Sequence, residues 1–108
     1  MEIVSLADLQ KLDIRIGKVL HAERIADTNK LIRLEIDFGV ETRQVITGMA
    51  EFFEPSHFIG KEIPVIVNLS PRNIQGIESQ GMILAVEAAG RPVLLYPEQE
   101  VPPGSMVR

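Results

Sequence analysis

Apolar and polar residues alternate along much of this chain, most cleanly over residues 31–38. There Ile32, Leu34, Ile36 and Phe38 point one way, and Leu31, Arg33, Glu35 and Asp37 the other. A period of two predicts a half-buried antiparallel strand. Residues 13–24 read as another strand, with Ile14 and Ile16 opposed to Arg15, and with Gly17 marking a bulge or bend. Asp27-Thr28-Asn29 is a turn, and Gly39-Val40-Glu41 closes a hairpin onto a third strand, 42–47. Strands resume at 62–69 and 82–88, and a Gly90-Arg91-Pro92 turn leads to a shorter sixth at 91–96.

The period turns helical in two places. Over residues 5–12, Leu6, Leu9 and Leu12 form one stripe, with Ser5 placed to cap and Asp8 three residues on. That stripe is expected to plug the core. Between Gly48 and Gly60, residues 49–53 suggest a helical turn, Pro55 interrupts it, and 56–59 suggest another. Residues 97–108, with Pro97, Pro102, Pro103 and Gly104, read as an extended tail. The whole predicts an all-β fold over a single domain, residues 1–108. It is a five-stranded OB-fold barrel with a short N-terminal helix, a helical insertion between the third and fourth strands, and a C-terminal extension. A parallel α/β fold would need crossover helices that have no counterpart here.

Composition narrows the function classes. With no cysteine there are no disulfides or thiolate metal sites, which fits a reducing compartment. No apolar run approaches the roughly 20 residues of a membrane-spanning helix, so a cytoplasmic protein is expected, and the Met1 start favours an independent polypeptide. A net charge of −4 argues against wrapping long polyanions. Beyond residue 72 only Arg91 and Arg108 oppose Glu78, Glu87, Glu98 and Glu100, so a basic face has to be assembled by folding.

The segment SPRNIQGIESQGMIL, residues 70–84, concentrates the candidate chemistry. Pro71 ends the preceding strand, and Gly76 and Gly81 permit angles or close approaches that a side chain would forbid. Arg72, Asn73, Gln75, Ser79 and Gln80 offer donors with one carboxylate, Glu78, among them. Donors on a stiff loop suit an anionic polymer's backbone. Catalytic patterns are wanting. His21 and His57 lack metal-pair spacing, Ser79 lacks a nucleophile elbow, and phosphate-cradling glycine motifs are absent. Neither a metal nor a cofactor is expected. With no tryptophan, and with Phe38, Phe52, Phe53 and Phe58 in apolar contexts, a base-stacking platform is disfavoured. Cations, amides and a hydroxyl read backbone geometry better than bases, which favours a folded RNA.

The segments KLDIRIGKVLHAERI, NKLIRLEIDFG, RQVITGM and NLSPRNIQGIESQGMILA resemble the tRNA-binding barrel domain. That family comprises free-standing bacterial tRNA-binding proteins, the C-terminal appendage or β subunit of methionyl-tRNA synthetase, and domains of tyrosyl-tRNA synthetase cofactors and related cytokine precursors. The resemblance runs from about Ser5 to Arg108, and G-I-E-S-Q-G-M is its most specific part. It implies a homodimer that grips the outer corner of tRNA by shape, without catalysis of its own, and that works alone or beside a methionyl-tRNA synthetase catalytic chain. By the same resemblance Lys30 and Arg72 contact phosphates, and Ser79 and Met82 belong to the site. Asn73, with Ser79, is expected to bond backbone or sugar, and Lys18, Arg33, Arg43 and Arg15 to lie on the approach. Many relatives carry further basic residues where this chain has Asn73 and Gln75, which lowers the charge of the loop. A related branch, dimeric export-related chaperones that bind apolar peptide segments, shares K-L-D-I-R and I-D-F-G and forms the alternative. Val93, Leu94, Leu95 and Tyr96, with Val101 in the tail, make the expected dimer interface.

Overall fold

The alternation over residues 31–38 becomes alternate burial. In the computed structural model, which describes residues 1–108, β2 (Ile32–Asp37) hides Ile32, Leu34 and Ile36 completely and leaves Arg33, Glu35 and Asp37 half-exposed. Each such side chain contributes about 1.5–3 kcal/mol by leaving water. In chain order, β2 is preceded by α1 (Leu6–Gln10) and β1 (Ile14–Arg24) and followed by β3 (Thr42–Thr47). Next come a 3₁₀ turn (Pro55–His57), β4 (Glu62–Ile66), β5 (Arg72–Ile74), β6 (Ile77–Ser79), β7 (Met82–Ile83), β8 (Ala85–Ala88), β9 (Arg91–Leu94) and β10 (Met106–Val107).

The main sheet is antiparallel, in the order β3-β2-β1-β4-β7, with β10 added on β1. It curls until β3 meets the segment that follows β6. There Gln80 N donates to Gln44 O at 2.8 Å, and Gln44 N donates to Gln80 Oε1 at 3.0 Å. Phe58, Val19, Val45, Ile63 and Val65 fill the interior with the buried face of β2.

Several expectations need correction. The leucine stripe does not plug the core: α1 buries none of its residues, although Ser5 Oγ caps it by accepting from Asp8 N. Gly17 marks no bulge. The register shift lies between Val19 and His21, and Gly17 is needed because a Cβ there would stand 2.3 Å from the Ile36 methyl. Between Gly48 and Gly60 the chain makes one turn in which Phe52 N and Phe53 N both donate to Met49 O, and then a 3₁₀ turn that Pro55 starts. Residues 82–88 split into β7 and β8, and Arg91 and Pro92 already belong to β9, the turn being made by Ala89 and Gly90 at φ 52 and 77. The tail is extended as expected, and it is pinned. Ile16 N donates to Ser105 O and Gly104 N to Ile16 O, so the tail runs along β1.

Candidate nucleic-acid interface

Within the segment 70–84, the expected stiff loop is a small hairpin over residues 72–79. β5 and β6 pair Arg72 with Ser79, Asn73 with Glu78 and Ile74 with Ile77. The turn residues Gln75 and Gly76 both take left-handed angles, φ 51 and 86. Two consecutive positive φ values match the right-handed twist of the flanking strands. Asn73 Oδ1 accepts from Gly76 N at 2.7 Å, so this side chain closes the turn and keeps only its amide NH₂ for a ligand. At the hairpin's base Gly81 packs where a Cβ would lie 2.9 Å from Val65 Cγ1 and 3.1 Å from Ile66 O.

Ser79 differs from expectation. Its side chain is buried, its Oγ accepts from Ile46 N at 3.0 Å, and it donates to Gly81 O at 3.0 Å. The hydroxyl is fully used inside the protein and is closed to a ligand; it bolts the hairpin to β3. Gln44 and Gln80 complete the bolt, with Gln44 Nε2 donating to Glu78 O at 2.8 Å. Neither amide has a signature in sequence, because both partners lie more than 30 residues away. Arg43 braces the same corner. Its guanidinium donates to the carbonyls of Val67 and Gln80 while Glu41 holds it at 2.6 Å. Met82 is exposed on β7, not packed in the core.

The cations divide into three groups. Arg72 is exposed and makes no ion pair. Arg33 and Lys30 form a second group: Arg33 lies on β2 between Glu23 of β1 and Ile46 of β3, and the Lys30 carbonyl accepts from Ala50 N. Each has a carboxylate partner: Glu23 holds Arg33 at 2.8 Å and Glu51 approaches Lys30 at 3.8 Å. The hydrogen bond and charge of Arg33, with a smaller push from His21, hold the Glu23 carboxyl below its ordinary range. The third group stands apart. Lys18 lies across the sheet from Asp37 and Glu62, in a cleft where Glu62, Glu98 and Glu100 outnumber Lys18 and Lys61. Arg15 is taken up by Asp13 at 2.9 Å and by Gly104 O. Lys18 and Arg15 thus have their partners on β2, β4 and the tail, and neither is paired with a residue of the hairpin.

The expected dimer residues also divide. Val93, Leu95 and Tyr96 are exposed, whereas Leu94 turns into the core and Val101 N is tied to Glu62 Oε1 at 2.9 Å. A larger apolar surface lies elsewhere: Leu6, Leu9, Leu12, Ile14, Met106 and Val107 line a groove of about 290 Å³. Of the histidines, His57 stacks on Phe53 with ring centres 4.6 Å apart and His21 approaches Glu23 at 3.5 Å. No group of three or more His, Cys, Asp or Glu side chains is arranged to hold a metal ion.

Comparison with known proteins gives these features a family context. Residues 14–106 match the family described as a putative tRNA binding domain. The methionine-tRNA ligase of Archaeoglobus fulgidus is 52% identical over 106 residues, covering 98% of this chain and 16% of the ligase. That of Thermotoga maritima is 44% identical over 104 residues, 96% of this chain and again 16% of the ligase. The chain thus spans about one sixth of the length of these relatives. Among solved structures, a MetRS related protein from Pyrococcus horikoshii superposes with a TM-score of 0.95 at 38% identity, covering 100% of both chains. The chaperone CsaA of Bacillus anthracis gives 0.88 at 36% identity, covering 99% of this chain and 100% of its own.

Proposed function

The chain belongs to the putative tRNA binding domain family, and we propose on that premise that it binds tRNA by shape, with an OB-fold barrel as scaffold and no chemistry of its own. The single observation that carries this reading is the family match over residues 14–106. The geometry supplies the means. A hairpin carries the unpaired Arg72, and on this reading Arg33 and Lys30 contribute further cations; guanidinium and ammonium groups neutralise phosphates irrespective of base. Met82 and the free amide of Asn73 flank that corner, and Ser79 acts by holding it rather than by touching RNA.

The likeness to one sixth of methionine-tRNA ligases supports a further step. The domain works in the cytoplasm as a subunit or appendage that raises tRNA concentration near a methionyl-tRNA synthetase catalytic chain. It acts as a homodimer, which brings two modest basic corners to one RNA.

Titration of labelled tRNA at low and high salt tests the reading. Neutralising three to four phosphates gives a logarithmic salt slope of about −3. Arg72→Ala should weaken several tRNAs by a common factor and make the slope shallower by about 0.9. An effect confined to one anticodon would contradict recognition by shape. Salt-insensitive capture of apolar peptides, with no tRNA affinity, would favour the chaperone-like alternative.

A further inference from the structure

Three cations of the proposed RNA-binding set, Arg43, Arg33 and Lys30, are held by carboxylates of the same chain, and the holds differ in kind. Arg43 is locked by two backbone carbonyls as well as by Glu41, so its guanidinium is a structural brace. Arg33 and Lys30 are held by side-chain carboxylates alone. The Glu23–Arg33 contact is a cross-strand pair fixed by register between β1 and β2, with the Arg33 side chain only 27% exposed. The Glu51–Lys30 contact is made across the turn after β3, between side chains 72% and 51% exposed.

A carboxylate and a phosphate oxygen present the same chemistry to a guanidinium. We propose that Glu23 and Glu51 are affinity-limiting residues of the RNA site, each occupying a cation that must exchange it for a phosphate when RNA docks. The proposal rests on the tRNA-binding reading above and concerns the strength of that site. Its consequence is a weak, quickly exchanging complex, set by internal competition for each cation. It also accounts for an RNA site on a chain of net charge −4. The acids facing the cations are part of the site and not merely a background against which it operates.

The test is a double-mutant cycle read by tRNA affinity over a range of salt. Glu23→Gln is expected to tighten binding about three- to five-fold and Glu51→Gln about two-fold, the range set by exposed ion pairs. Neither should alter the salt slope, because the same number of phosphates is neutralised. Arg33→Ala should weaken binding and make the slope shallower by about 0.9. In the Arg33→Ala background, the gain from Glu23→Gln should fall away. Glu2→Gln, an equal change of charge at a residue without an ion pair, should leave affinity unchanged. An equal gain from Glu2→Gln, or from Glu23→Gln with and without Arg33, would overturn the proposal in favour of a general charge effect. Normal tRNA binding with no response to either glutamine would overturn it alone. Absence of tRNA binding in the unaltered protein at low salt would overturn both it and the functional reading.

Discussion

Ser79 shows how much one hydroxyl can do without meeting a ligand. It accepts from Ile46 N and donates to Gly81 O, which makes it the link between β3 and the base of the hairpin. Ser79→Ala leaves a buried amide and a buried carbonyl without these partners, at about 1–3 kcal/mol for an unsatisfied group. Chemical denaturation should show a loss in that range with an unchanged slope against denaturant. RNA affinity should fall only as far as the hairpin loosens. If stability were unchanged while tRNA binding were lost, Ser79 would be a direct contact after all. In sequence the residue looks like one more donor on a polar loop. Its partners decide its role, and Ile46 lies 33 positions away.

At the level of elements, the hairpin depends on two local devices: the left-handed pair Gln75-Gly76 and the Asn73 side chain bonded to Gly76 N. A Cβ added at Gly76 would meet no neighbouring atom, but the residue must take φ 86. Gly76→Val therefore carries backbone strain of about 1–3 kcal/mol. Amide exchange should quicken across residues 72–79 while β1 and β2 keep their protection. Equal quickening everywhere would show that the hairpin is not an independent unit. Such local chemistry explains what was legible. β2 and β3 could be read to within a residue because alternation is a near-neighbour signal, and the Ser5 cap because its partner is three residues on. The hairpin was hidden because glutamine at a left-handed position is not a turn signal. The Gln44–Gln80 clasp, the Glu23–Arg33 pair and the isolation of Lys18 were hidden because each arises from register between strands, which no window of sequence contains. The short α1 was read correctly as a helix, but not as an uncovered one, since a stripe of leucines does not say which surface will cover it.

For the whole molecule, that uncovered stripe raises the question of what completes it. An isolated helix of fewer than about 12 residues is marginal in water. Here α1 has five and buries none of them, leaving Leu6 and Leu9 at 68 and 55% exposure, with Leu12 just beyond it at 40%. Its apolar stripe continues through Ile14 onto Met106 and Val107 of β10, forming one groove at the junction of the two chain ends. A twofold partner suits this surface because the same patch can meet itself, α1 of each copy lying in the groove of the other. A stable dimer needs about 800 Å² from each partner; Met1, Ile3 and Val4, also exposed, can extend the patch beyond the groove. Val93 and Tyr96 offer a smaller alternative whose central residue, Leu94, is already spent on the core. Sedimentation at micromolar concentration should therefore give the mass of two chains. Leu9→Glu should reduce it to one without loss of β structure by circular dichroism, since no core contact is removed, whereas Val93→Glu should leave the pair intact. The reverse pattern would move the interface to the β8–β9 edge, and a single-chain mass for the unaltered protein would remove it from both. On the homodimeric tRNA-binding reading proposed above, one tRNA bridging two Arg72 corners gains effective concentration without a new contact, so Leu9→Glu should also weaken tRNA binding by more than ten-fold while leaving each corner's own residues untouched.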